Sequence, residues 1–293
     1  MSANSTPTAN VRTFFHDPTF TATHVVWDSE TRDAIIIDSA LDYDHKSGRT
    51  STETADQIVA FAEQTRLNIC WILETHAHAD HITAAPYLKA KLGGETAIGE
   101  HITKVQETFK PVFNLEPDFT TDGSQFDRLL VDGDILTVGT LTCRVMHTPG
   151  HTPACVTFVV GDAAFVGDTV FMPDYGTARV DFPGGDATTL YRSIQKLFAL
   201  PEQTRLFMCH DYKAPDRDDF AWESTVAREK AENVHIRSGI TESAFVEMRN
   251  ARDGTLEMPV LILPSIQVNI RAGALPPAES NGVRYLKLPL NAL

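Results

Sequence analysis

Thr75-His76-Ala77-His78-Ala79-Asp80-His81 places three histidines and an aspartate directly after the apolar run Ile69-Cys70-Trp71-Ile72-Leu73. Residues two apart in extended backbone point to the same side, so His76 and His78 can converge on one position while Asp80 and His81 turn toward a neighbouring one. Neutral imidazole and carboxylate are what a borderline metal such as zinc or iron takes. A lone histidine is usually an ordinary core or surface residue. Three of them beside an acid at a strand end point instead to a metal centre.

Candidate ligands recur at the ends of later apolar runs. His147-Thr148-Pro149-Gly150-His151 follows the run ending at Met146, Asp168 follows Val166-Gly167, and His210 follows Met208-Cys209. Ligands delivered from several strand ends on one rim make a preorganised site. His151, exposed by the Pro149-Gly150 turn, is the better ligand of its segment, and His147 reads as structural. His16, His24, His45, His101 and His235 have no such company and read as ordinary surface or helix residues.

Outward from the cluster, hydrophobic periodicity predicts strands over 11–15, 21–27 and 34–37, the last two joined by a polar hairpin turn. A helix over 52–66 precedes the strand 69–73, and a second helix, 81–92, is stopped by Gly93-Gly94. A helix over 102–109 and a loop follow. Strands return at 135–138, 142–146, 155–160 and 164–166, then a helix over 187–200 and a strand over 205–209. Helices over 220–231 and 241–248 and a Pro-bearing tail from 258 complete the chain. This order predicts an α/β fold of two packed sheets with helices outside, a four-layer αββα sandwich. Residues 1–10, small and polar, read as a disordered tail, and 11–293 as a single domain with a C-terminal extension after about 232.

The chain has 293 residues, ample for a full core, and a formal charge of −14 that repels phosphate backbones and argues against nucleic acid. An anionic substrate would need basic residues gathered locally. The four cysteines, Cys70, Cys143, Cys155 and Cys209, lack metal or disulfide spacing and fit buried thiols in a reducing compartment. No apolar run suits a membrane span or a signal peptide, so a cytoplasmic location is expected, and the sequence leaves room for a homodimer.

The ordered set THAHADH, TPGHT, the aspartate of GD at Asp168, and His210 resembles the ligand set of the metallo-β-lactamase superfamily. Within it the chain is most similar to the persulfide dioxygenase family. The residues that carry this are THAHADHIT, TPGHTPACVTFV, FVGDTVF, the Arg179/Asp181 pair of TARVDF, and CHDY ending at Tyr212. The chain departs from the family in a longer segment between His81 and His151 and a longer C-terminal tail. The resemblance implies the αββα metallo-β-lactamase sandwich and one Fe(II) per chain held by His76, His151 and Asp168. It further implies that His78, Asp80, His81 and His210 orient ligands and water, and that the substrates are glutathione persulfide and O2. Arg179 and Arg271 are expected to meet substrate carboxylates, with Tyr212 and Asn269 as hydrogen-bonding partners. A glyoxalase II-like thioesterase with two metals would need the same ligands, so counting ligands does not separate the two reactions. The local wording HADHIT favours the dioxygenase. A lactamase-type hydrolase fits less well, because no lactamase-style leader is read and no cysteine ligand stands in place of Asp168, and a non-catalytic sensor fits less well because the set is open and contains carboxylate.

Overall fold

The computed structural model describes residues 7–292. The chain opens with β1 (Asn10–His16), β2 (Thr21–Trp27) and β3 (Asp33–Ile37), an antiparallel meander. β4 (Ala40–Asp44) and β5 (Arg49–Ser51) form a small hairpin. Next come α1 (Glu53–Thr65), β6 (Asn68–Glu74), β7 (Ile82–Thr83), α2 (Ala85–Leu92), β8 (Glu95–Gly99), α3 (Ile102–Val112) and β9 (Arg128–Leu130). The second half holds β10 (Ile135–Val138), β11 (Leu141–His147), β12 (Val156–Val160), β13 (Ala163–Phe165), α4 (Ala187–Phe198), β14 (Arg205–Phe207), β15 (Glu223–Thr225) and three helices, α5 (Val226–Glu232), α6 (Glu242–Asp253) and α7 (Ile262–Asn269).

Two six-stranded sheets result, ordered β1-β2-β3-β6-β8-β9 and β10-β11-β12-β13-β14-β15, with β5-β4-β7 beside them. Alternation sorts the side chains. Ile35 and Ile37 of β3 join Val145, Phe158 and Phe165 in the core between the sheets, whereas Ala34 and Ile36 turn outward to Ile58 of α1 and Leu88 of α2. On β6 a register shift skips Cys70, pairing Ala34 with Ile69 and Ile35 with Trp71. That bulge lets Ile69 face the helices and Trp71 the inter-sheet core, although both positions are odd. Leu190 and Ile194 of α4 and Phe245 of α6 cover the second sheet's outer face. The four αββα layers are those expected.

Four expectations need correction. The helix expected from His81 begins at Ala85, because Pro86 fits only a first turn and Ile82–Thr83 pairs with β4 instead. The segment 220–231 is a strand that pairs with β14, then a helix capped by the Thr225 hydroxyl on Arg228 N at 3.2 Å. The tail beyond Met258 contains α7. Of the expected disordered stretch, residues 1–6 lie outside the described residues, but Ala9 is buried. Its N–H reaches Asp162 Oδ1 at 2.9 Å, and β1 has begun by Asn10.

Candidate metal centre

The strands β3, β6, β11, β13 and β14 all deliver their C-terminal ends to one rim. Val156 N bonds Thr75 O at 2.9 Å across the sheets there. Asp38, just past β3 at φ 53, is the organiser. Its Oδ1 accepts Thr75 N at 2.7 Å and its Oδ2 accepts Thr75 Oγ1 at 2.8 Å. Having donated to Asp38, the Thr75 hydroxyl is left to accept His76 Nδ1 at 3.0 Å. His151 Nδ1 likewise donates to Arg179 O at 2.7 Å. Both rings therefore carry a bare Nε2, and both Nε2 atoms face Asp168 Oδ2, at 3.9 Å and 3.7 Å. Burial lowers the pKa of His76 well below its ordinary value and raises that of Asp168.

A second group lies against the first. His78 Nε2 donates toward Asp38 Oδ1 at 3.1 Å and Glu74 Oε2 at 3.2 Å. Burial would lower its pKa, but the two carboxylates hold it well above the usual value. Asp80 bonds His81 Nδ1 through Oδ1 at 3.2 Å, and its Oδ2 meets Tyr212 OH at 3.0 Å and His210 Nε2 at 3.1 Å. Burial would raise the Asp80 pKa, yet His210 and His81 keep it well below the carboxylate range.

The residues fit a metal ion. His78 Nδ1, His81 Nε2 and Asp168 Oδ1 are buried without a hydrogen-bond partner, a costly condition that a cation would relieve. The candidate ligand atoms of His76, His151 and Asp168 lie within 4.8 Å of one another, and so do those of His78, Asp80, His81 and His210. Cys209, read from sequence only as a buried thiol, is buried here and belongs to further such groups with Asp38 and His78 and with Asp168 and His210.

A cavity of ≈ 580 Å³ opens onto Asp80, His151 and Asp168, with Phe171, Tyr175 and Tyr212 in its wall. His76, His78, His81 and His210 stand behind that lining. Among the expected substrate contacts, only Arg179 and Tyr212 reach the cavity. Arg179 is held by Asp181 through Nε at 2.5 Å and Nη2 at 2.6 Å, and by Glu257 O through Nη1 at 2.7 Å. Its guanidinium is already neutralised, contrary to the role of free carboxylate clamp. Arg271 is not at the cavity. It is buried, with Nη2 2.5 Å from Glu116 Oε2 and the guanidinium 4.6 Å above the Phe119 ring. Asn269 is absent from the lining as well. Its side chain bonds His78 O at 2.8 Å, His81 O at 2.7 Å and Thr83 N at 3.0 Å, so it shapes the ligand loop from behind.

Sequence reasoning missed Asp38 and Glu74, which have no motif signal of their own. It also passed over His45, which the β4–β5 hairpin brings to the cavity wall. His24 is buried between the sheets rather than at the surface, its Nε2 at 2.9 Å from Met208 O.

Two sheets in an αββα sandwich, with a histidine-carboxylate cluster on one rim, define a metal-binding enzyme scaffold. The chain belongs to the metallo-β-lactamase superfamily, whose family model matches residues 16–210. It is 59% identical, over 97% of its length and 99% of the relative's, to a probable metallo-hydrolase of Burkholderia pseudomallei. It is 48% identical to glyoxylase B2 of Dictyostelium discoideum, over 97% of this chain and 98% of that one. To the human mitochondrial persulfide dioxygenase ETHE1 it is 30% identical, over 91% and 90% of the two chains. The crystal structure of ETHE1 from Myxococcus xanthus superposes with a TM-score of 0.71 at 27% identity, covering 90% of this chain and all (100%) of that one.

Proposed function

We propose that the protein is a persulfide dioxygenase that binds one Fe(II) through His76, His151 and Asp168 and converts glutathione persulfide, O2 and water to glutathione and sulfite. The observation that carries this reading is the pair of bare Nε2 atoms facing one carboxylate beside an open cavity. Two histidines and one carboxylate are the set that suits iron with open positions. Bound there, iron would supply the redox chemistry that joins oxygen to sulfur. The similarity to persulfide dioxygenase over nine-tenths of both chains supports the same reading.

The chain's own residues do the positioning. Thr75 and the Arg179 carbonyl fix the tautomers of His76 and His151. Tyr212 keeps its proton, because burial pushes its phenol well above the ordinary value, and it remains hydrogen-bonded to Asp80 at the cavity. Phe171 and Leu261 exclude water from part of the wall. A reducing compartment belongs to this proposal and rests on four unpaired thiols. No helix among the described residues is long and apolar enough to cross a membrane.

A second reading, a two-metal thioesterase acting on an acylglutathione, is favoured by the unpartnered His78 Nδ1 and His81 Nε2, which could serve a second ion. Metal analysis of anaerobically purified protein separates the two, combined with O2 uptake on glutathione persulfide and hydrolysis of S-lactoylglutathione. One iron per chain with O2 uptake is expected. Two metals per chain with thioester hydrolysis and no O2 uptake would replace the first reading by the second.

A further inference from the structure

Three arginines line the cavity beside His151 and Asp168, and their surroundings differ. Arg179 is neutralised by Asp181. Arg249, fully buried, is matched by Asp253 at 2.5 Å and donates to Thr177 O at 3.0 Å. Arg252, exposed at the end of α6, makes no ion pair among the described residues. Its charge still acts on the cavity. Burial raises the pKa of the Tyr175 phenol in the cavity wall, and the Arg252 charge pulls against that rise.

Glu257 lines the same cavity a few residues further on. Its backbone carbonyl receives Arg179, while its exposed side-chain carboxylate has no cationic partner among the described residues. The chain between the two is folded tightly, with Thr255 N on Arg252 O and Leu256 N on Asp253 O, both at 3.0 Å. One short turn thus presents a free cation and a free anion to the metal cavity, and the two are not paired with each other. Exposed charges of this kind contribute little to stability, so the fold does not account for their placement.

We infer that Arg252 and Glu257 recognise the zwitterionic amino-acid group of the substrate thiol, its α-carboxylate and α-ammonium respectively, with the sulfur lying toward His151 and Asp168. This deepens the proposed function by assigning the end of glutathione that the protein reads. A guanidinium meets a carboxylate through two parallel hydrogen bonds, and a carboxylate accepts from an ammonium.

The test is equilibrium binding of glutathione and of its desamino analogue, which lacks the α-ammonium group, to the metal-loaded full chain by calorimetry. Arg252→Ala is expected to weaken both ligands by roughly 10-fold, the scale of a hydrogen bond to a charged group. Arg252→Lys should recover part of the loss. Glu257→Gln should weaken glutathione by a similar factor and leave the desamino analogue unchanged. Metal content and melting temperature should not move, since both side chains are exposed. Wild-type affinity in both variants overturns the assignment, and so does a wild-type protein that binds the two ligands equally. No oxygen or acyl group takes part in the titration, so this outcome is read separately from O2 uptake. A chain that proved to be a thioesterase would sink the dioxygenase reading and leave the binding result to stand or fall alone.

Discussion

Asp38 holds more of the site than any ligand does, since it fixes Thr75 twice and shares His78 with Glu74. Its φ of 53 is a backbone state that Asn tolerates and Ala resists, so Asp38→Asn tests the side chain without straining the turn. Metal affinity, measured by chelator competition, is expected to fall about 10–100-fold, as for other groups that orient ligands. An unchanged affinity would mean that Thr75 and His78 hold their places without it. Away from the candidate metal centre, Glu229 of α5 is fully buried with Asn233 Nδ2 at 2.7 Å, and burial pushes its carboxyl up to about 7 although Asn233, Ser224 and the neighbouring Arg228 charge pull it down. The folded state then binds a proton that the unfolded chain, with an ordinary value of 4.5, releases earlier. Stability is therefore fully present below pH 4.5, falls as pH rises toward 7, and levels off above it. The shift corresponds to a loss on the order of 3 kcal/mol. Glu229→Gln should flatten this slope and raise the melting temperature at pH 8, and an unaltered pH profile would show that Glu229 ionises without cost.

Elements differ in how plainly the sequence announces them, and α7 makes the reason concrete. Ile262, Ser265, Ile266, Gln267, Val268 and Asn269 are all buried, so no polar stripe marks the helix, and Pro264 within its first turn reads as a break. By contrast β2 and β10 stand where alternation and flanking turns put them, at Thr21–Trp27 and Ile135–Val138. The histidines of the THAHADH segment were legible because their spacing is local. Asp38, Glu74, Arg252 and Glu257 were not, since each gains its meaning from chain segments that only the fold brings together. Asn269 shows how a residue can be found and its role mistaken. The sequence places it near the site, yet its amide caps the backbone of His78 and His81 from behind. Asn269→Ala should leave two carbonyls and the Thr83 N–H without partners, costing about 3 kcal/mol, and should weaken metal binding. Apparent KM for the thiol substrate in the metal-saturated variant should not change. A raised KM with full metal retention would restore the substrate-contact role.

At the scale of the whole molecule, the proposed metal ligands come from both halves. His76 is carried on the end of β6 in the first sheet, whereas His151 and Asp168 follow β11 and β13 in the second. Between the sheets the interior packs apolar on apolar, Ile35, Ile37 and Leu73 on Val145, Phe158 and Phe165, and hydrogen bonds such as Val156 N to Thr75 O and His24 Nε2 to Met208 O add polar ties. At the rim a crowd of imidazoles and carboxylates is buried, and His78 Nδ1, His81 Nε2 and Asp168 Oδ1 find no hydrogen-bond partner in the protein. An ion that binds the folded rim and finds no such cluster in the unfolded chain stabilises by mass action. The gain is about 2.7 kcal/mol when free metal stands 100-fold above its dissociation constant. For a chain of 293 residues that corresponds to a rise of roughly 4 °C in melting temperature. Calorimetry of chelated and reloaded protein should show this difference, and Asp168→Ala should melt near the metal-free value whether or not metal is added. The same variant isolates the contribution of the carboxylate, because among the described residues Asp168 is the one acid facing both bare Nε2 atoms. If Asp168→Ala still gained several degrees on metal addition, the ion would have to be held by the neighbouring group of His78, Asp80, His81 and His210. The tie between the sheets would then run through His210, which follows β14, and the principal site would move from the His76 and His151 side of the rim to the Asp80 side.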